Sequence, residues 1–473
     1  MSHLRELQVS VLATTLLAGC ATRRYQPAPI VASTSAESFQ SRSLADTALQ
    51  SYIERTLGHP IAPWPPQTWD LRTLSLAAMY FNPALSTARA RLEEAQAAVV
   101  TAGARPNPTI SIAPGVPSPY LLSLDFAVPI ETSGKRGHRV QSARSLNAAA
   151  EFDLADSAWR IRSGVRSALL NYLLTSHSMS LIQIEEQVRT ENVRLLEQRL
   201  SVGEIPRPDV DLARISLSQT RLAISEAKGQ VGEARAALAA SIGIPESGLR
   251  NFEFSWPDIE TPPSTGSLSP AEIQRYAVLN RLDIRRALAQ YAAAEADLQL
   301  EIAKQYPDIS LGPGYTYEER NNFFTIGFST TLPIFNRNQG PIAEADARRK
   351  EAGATFLEKQ AQVVAESERA LALYSAALKE YAEADQSLRT LQETQQQAMQ
   401  TAVRAGEEDA LALNGVRVES SLAARARLDA LARAQKAFGE LEDAVQRPLS
   451  TGDAFLAGPN PRTDTKAPKE PKQ

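Results

Sequence analysis

Residues 323–334 read FFTIGFSTTLPI. Phe324, Ile326, Phe328, Leu332 and Ile334 fall on one parity, and Thr325, Gly327, Ser329 and Thr331 on the other. Alternation with a period of two describes a β-strand with one apolar and one polar face. The surrounding sequence is rich in Ala, Glu and Arg and reads as long helix. Three more segments share the alternation. Leu122, Leu124, Phe126, Val128 and Ile130 oppose Ser123, Asp125 and Ala127. Ile309, Leu311, Tyr315 and Tyr317 oppose Asp308, Ser310, Gly312 and Thr316, and a shorter segment lies at about 108–114.

Polar and small residues on one side, apolar and aromatic residues on the other, over about ten positions, is the pattern of a transmembrane β-barrel strand. A barrel must close, because an open sheet edge in hydrocarbon leaves N–H and C=O groups unpaired. Four strands cannot close around a water-filled lumen, so several chains must share one barrel; three chains give about twelve strands, within the usual range. The lumen would then be lined by Ser123, Asp125, Asp308, Ser310, Thr325 and Ser329. Alternatively, the apolar faces pack on helices in an ordinary α+β domain.

The chain has 473 residues and a formal net charge of −4. A near-neutral balance with basic residues scattered among acidic ones gives no reason to expect a nucleic-acid partner. Hydrophobic residues make up 43 % but aromatics only 6 %, so Ala and Leu carry the apolar share and favour slim, closely spaced helices. No window approaches the eighteen or so uninterrupted apolar residues of a membrane-spanning helix. Cys20 is the single cysteine and ends the apolar run VSVLATTLLAGC. That run resembles a bacterial lipoprotein signal, with residues 1–19 cleaved and Cys20 lipidated. Ala21 after the cysteine implies sorting to the outer membrane in this lipoprotein class.

The second half repeats the first at a displacement of about two hundred residues. LEEAQAAVVTAGARPNPTISI (92–112) aligns without gaps on YAAAEADLQLEIAKQYPDISL (291–311), and SVGE (201–204) matches RAGE (404–407). Each copy reads as a helix (about 71–105 and 270–305), two strands, a long proline-free helix, a turn at Gly203 or Gly406, and a returning helix (about 209–243 and 408–445). Positions at four-three spacing (Val165, Leu169, Tyr172, Ser176, Met179; Tyr374, Leu378, Tyr381, Leu388) suit packing against neighbouring helices, with Asp385 interrupting the second stripe. The expected division is a signal at 1–19, an extended proline-bearing segment at 20–70, repeats at 71–249 and 270–448, a linker at 250–269, and a disordered tail at 449–473.

The duplicated helix, β-hairpin and long helical hairpin resemble the outer-membrane factors of the TolC class over about residues 70–448. PIETSGKRGHRV (129–140) and LPIFNRNQGPIAEA (332–345) resemble the strand-to-helix junctions of its cobalt–zinc–cadmium efflux branch. The resemblance implies a mainly α fold with a membrane β portion: a trimeric twelve-stranded β-barrel continued by a periplasmic α-helical barrel. It implies a homotrimer in the outer membrane, a periplasmic adaptor, an inner-membrane proton-driven pump of the resistance–nodulation–division type, and export of heavy-metal cations. At the junctions, Lys135, Arg136 and Arg139 would lie near the inner leaflet, where anionic lipid headgroups are expected to hold them. SVGEIPRPDVDLA (201–213) resembles the family's first hairpin tip, and RAGEEDALALNG (404–415) matches the second more weakly. Adaptor contacts are expected at Val202, Gly203, Glu204, Pro206, Asp209, Val210, Ala405, Gly406, Glu407 and Leu411. The acidic ring of the family's closed tunnel end falls here on Ala412 and Gly415, so Glu407, Glu408 and Asp409 are its expected substitutes as a gate.

No catalytic constellation, cofactor motif or metal-ligand spacing emerges. His3, His59, His138 and His177 are scattered, and Ser225 with Lys228 has the spacing of some acyl enzymes without their other motifs. The competing function is a structural envelope lipoprotein whose coiled coil spaces the periplasm without conducting.

Overall fold

A computed structural model describes residues 25–116, 121–264 and 269–449. Cys20, the signal and the tail from residue 450 lie outside the described residues. The chain divides into two units, 1–42 and 43–473. In the first, helix α1 (Ala32–Gln40) buries no side chain.

In the second unit, helix α2 (Thr47–Leu57) is capped by Asp46, whose side chain accepts a hydrogen bond from the Ala48 amide. The expectation of an extended segment over 20–70 is therefore corrected. Its prolines cluster at both ends and leave a proline-free stretch able to coil. Strand β1 (Thr68–Trp69) follows.

The expected helix over 71–105 is two helices, α3 (Leu71–Phe81) and α4 (Pro83–Ala102). Pro83 has no N–H and disfavours helical backbone at the residue before it. Asn82 is accordingly extended, and its side chain caps α4 through the Ala84 amide.

Strand β2 (Thr109–Gly115), strand β3 (Leu121–Ile130) and helix α5 (Lys135–Ser201) come next. At 67 residues, α5 is about 100 Å long. It returns as α6 (Arg207–Ile242), and the inter-repeat segment contributes β4 (Glu253–Phe254), paired in parallel with β1.

The second half keeps the element order. Helices α7 (Pro270–Asn280) and α8 (Leu282–Ala303) replace the single helix expected over 270–305. No proline breaks them. Arg281 is pinned by Asp283 and Glu366, both at 2.7 Å, and the Leu282 amide donates to the Gln446 side chain at 2.6 Å. Then come β5 (Ile309–Glu318), β6 (Asn321–Thr330), α9 (Gln339–Glu383), a π-turn (Ala384–Leu388), α10 (Arg389–Ala405) and α11 (Ala410–Val445). β6 stops four residues short of the expected end. Thr330 pairs with Ile309, the first residue of β5, so the ladder has no partner beyond it.

The apolar stripes pack as structure. Val165 and Leu169 join a core with Trp69, Leu74, Leu238 and Ile242. Tyr374 joins a second with Phe438 and Leu441. Between α5 and α11 runs a buried ionic seam that periodicity does not reveal. Arg162 and Arg166 reach Glu442 at 3.3 and 3.5 Å, and Trp159 and Ser163 donate to Asp443 at 2.8 and 2.6 Å.

The four long strands form one antiparallel sheet in the order β2-β3-β5-β6. Its apolar face is bare: Phe324 and Ile326 are each 83 % exposed, and Leu124, Val128, Leu311 and Phe328 are exposed too. Among the described residues no helix covers this face in the way the α+β alternative requires.

Candidate functional site

Three places bear on function: the polar face of the sheet, the strand-to-helix junction, and the two hairpin tips. On the polar face the register aligns Ser111, Asp125, Gly314 and Thr325 in one row. A Cβ at Gly314 would meet Thr325 Oγ1 at 2.5 Å and Asp125 Oδ1 at 2.6 Å, so glycine leaves room for both polar side chains to lean across it. Ser123 and Thr316 hydroxyls face each other at 3.4 Å, and Ser310 pairs with Ser329. Five of the six expected lumen residues thus share this face by parity. Asp308 lies just before β5 and is committed elsewhere.

At the junction, Gly134 and Asn338 take left-handed backbone immediately before α5 and α9. The Lys135 ammonium is buried and donates to the Tyr306 carbonyl and to Asp308 Oδ1, both at 2.6 Å. The Thr132 amide donates to the same carboxylate oxygen at 3.0 Å. Arg139 forms a forked pair with Glu131, and Arg136 donates to the Gly103 carbonyl at 2.6 Å. The expectation that anionic headgroups hold these cations is corrected for Lys135, which is buried. Its ammonium is spent on Asp308 and the Tyr306 carbonyl, while Arg136 and Arg139 bond Gly103 and Glu131 nearer the surface.

At the tips, Gly203 (φ +78°) and Gly406 (φ +77°) close their helices in left-handed backbone that a Cβ would strain. Pro206 is the N-cap of α6, and Pro208 and Asp209 lie in its first turn. Val210 is 0 % exposed and packs inside the first hairpin, which corrects its expected place among adaptor contacts. The tip motif locates it in sequence but not around the helix. Val202 is exposed, as are Glu204, Ala405, Glu407 and Glu408.

Asp409 has two fixed duties. Its Oδ1 caps α11 by accepting from the Ala412 amide at 2.8 Å, and its Oδ2 accepts from Arg199 Nη2 of the first hairpin at 2.5 Å. The Ala412 amide, then Arg199, hold its carboxyl below the ordinary carboxylate range. The two tips are therefore joined. Between them lies a cleft of about 290 Å³, lined by Leu195, Arg199, Val202, Glu204, Ala410 and Leu411. Arg199 is the residue sequence reasoning missed, since its partner stands 210 positions away. Among the described residues, no three His, Cys, Asp or Glu side chains gather as a metal site.

Residues 77–244 match the family model described as outer membrane efflux protein. The chain is 28 % identical over 278 residues to the cobalt-zinc-cadmium resistance protein CzcC of Cupriavidus metallidurans, covering 58 % of this chain and 64 % of CzcC. It is 26 % identical over 334 residues to the pyoverdine export outer membrane protein OpmQ of Pseudomonas aeruginosa, covering 64 % of this chain and 69 % of OpmQ. Among solved structures it superposes on CusC with a TM-score of 0.65 at 19 % identity, over 83 % of this chain and 96 % of that one. On VceC of Vibrio cholerae the TM-score is 0.65 at 22 % identity, over 80 % and 97 % of the two chains. At these identities the superpositions establish a common fold.

Proposed function

We propose that the chain is an outer membrane efflux protein, whose family model its residues 77–244 match, and that it is the exit duct of a tripartite efflux system. One observation carries this reading: among the described residues, a four-stranded sheet has an apolar face that no helix covers and outer strands, β2 and β6, with unpaired edges. In water such a sheet would aggregate; in a bilayer its face is satisfied by lipid and its edges by further copies of the chain. Three copies supply about twelve strands, an even number in the range of outer-membrane barrels. The duct is passive. It offers a polar path, performs no catalysis, and draws its driving force from an inner-membrane pump.

The partners we assign are a periplasmic adaptor, docking at the cleft between the tips, and an inner-membrane pump of the resistance–nodulation–division type. A heavy-metal cation as the exported solute rests on the junction motif and on the likeness to CzcC, whose name ties it to cobalt, zinc and cadmium. Anchoring through a lipidated Cys20 is supported by 26 % identity over 185 residues to the probable outer membrane lipoprotein SilC of Salmonella typhimurium. Glu407 and Glu408 stand nearest the second tip and are the proposed charge at the constriction.

The decisive experiment is single-channel recording of the purified protein in a planar bilayer. Discrete conductance steps from a trimer support the duct. A detergent-free, non-conducting coiled coil would return the protein to the structural-lipoprotein class.

A further inference from the structure

The bare face of the sheet continues past the end of its ladder. Leu332, Ile334 and Phe335 follow Thr330, the last paired residue of β6, and all three are exposed, Phe335 at 99 %. Leu332 and Phe335 border a cleft of about 680 Å³. The end of α8, the start of α5, the loop before β5 and the segment after β6 line it. That loop is held from within the chain. Lys135 donates to the Tyr306 carbonyl and to Asp308, and the Thr132 hydroxyl donates to the Pro307 carbonyl at 2.8 Å.

The cleft carries charge of both signs. Lys135, Arg139 and Lys304 line it together with Glu131 and Asp308. Lys135 is spent on Asp308, and Arg139 is forked onto Glu131. The Lys304 ammonium pairs with Glu301 of α8 at 2.6 Å and keeps 45 % of its side chain open, and Asp308 keeps 46 % open. Tyr306 is exposed on the same lining. One ammonium, one carboxylate and one phenol are therefore within reach of a ligand, and an apolar rim adjoins them. The place on the fold narrows what that ligand is. The turn between β5 and β6, at Glu319 and Arg320, lies at the opposite end of the strands from the helices. On the barrel reading, the helix end is the periplasmic edge of the hydrocarbon, the depth of inner-leaflet headgroups and of aromatic girdles.

A phospholipid has the matching chemistry. Its acyl chain suits the apolar rim, its phosphate the ammonium and the phenol, and a terminal primary ammonium the carboxylate. Carboxylates already answer the cations here, so the cleft lacks the excess positive charge that selects an anionic headgroup. A choline headgroup has no N–H to donate to Asp308. We propose that the cleft binds one inner-leaflet phospholipid through a phosphoethanolamine headgroup, with the phosphate on Lys304 and the Tyr306 hydroxyl, the ammonium on Asp308, and an acyl chain along Leu332 and Phe335. The site rests on the membrane-barrel part of the duct reading.

Native mass spectrometry of the intact protein in detergent tests it, alongside single-channel recording. The probes are phosphatidylethanolamine, phosphatidylcholine and phosphatidylglycerol with the same acyl chains. Phosphatidylethanolamine should bind roughly tenfold tighter than the other two, the worth of one charge-assisted hydrogen bond. Lys304→Gln should weaken its binding several-fold, and Lys379→Gln, at an exposed position far along α9, should leave it intact. A benzophenone side chain placed at Phe335 should cross-link to lipid. Equal binding of the three lipids marks an ordinary annulus and would overturn the site. So would a preference for phosphatidylglycerol, undiminished binding in Lys304→Gln, or a cross-link joining Phe335 to a second copy of the chain. Selective binding by a protein that carries no current keeps the site and removes the duct. Unselective binding by a conducting protein removes the site alone.

Discussion

Asp409 shows how one side chain can be structural and functional together. It was legible as an acidic tip residue, and its position three residues before Ala412 fits an N-cap. Its bond to Arg199 was not legible. The two duties separate by substitution. Asp409→Asn should keep the cap, since Asn caps as well as Asp, while losing the ion pair. Asp409→Ala should lose both and cost the start of α11 about 1 kcal/mol. Exchange of the 411–413 amides reads the cap, and a cysteine cross-link across the tips reads the pair. Acid should act the same way. Because the folded carboxyl titrates below its free value of about 3.9, its contribution is complete above that pH. It is lost as pH falls through the lowered folded value. The tips should therefore stay joined at neutral pH and part only in strong acid, which cross-linking yield against pH will show.

At the scale of elements, strands were the most legible feature and helix breaks the least. Alternation is a local property of the chain, so β3, β5 and β6 could be placed with their faces assigned before any pairing was known. The ends of β6 depended on the ladder, and the ladder depends on where β5 begins. Pro83 is a readable helix break, since it lacks an N–H and disfavours helical backbone at Asn82. Arg281 was not readable, because what holds it extended comes from Glu366 and Gln446. The lipid-facing assignment makes a sharp prediction. Ile326 sits mid-strand on the bare face, so Ile326→Arg should cost about 2–4 kcal/mol of insertion free energy. Thr325→Arg, one residue along on the polar face, should be tolerated. Refolding into lipid vesicles against denaturant measures both.

For the whole molecule, the tie between the hairpins matters more than either hairpin alone. The tips meet through Arg199 and Asp409, while Glu407 and Glu408 remain exposed beside them. In the proposed trimer, six such carboxylates would surround one opening and would attract cations and repel anions over about a Debye length. Glu407→Gln with Glu408→Gln should reduce block by divalent cations and lower cation selectivity at low salt, leaving thermal stability unchanged. Reversal potentials across a salt gradient give the answer, and an unaltered potential would remove these residues as the constriction's charge. Arg199→Gln tests the neighbouring tie: it should raise open-channel occupancy without altering selectivity, since it frees the tip but leaves those glutamates in place.

The order and character of the elements belonged to the sequence alone. Period-two alternation marks a two-faced strand, missing prolines permit a long helix, and the repeat is visible as a repeat, because each of these is written over neighbouring residues. Only the tertiary structure decided which charges are spent inside the molecule. Lys135 on Asp308, Arg199 on Asp409, and Arg427 between Asp385 and Glu260 each join positions far apart in the chain or on separate elements. An arginine on a helix surface carries no local record of its partner. Whether it faces solvent, lipid or a carboxylate is set by the packing of helices that the sequence names but does not bring together.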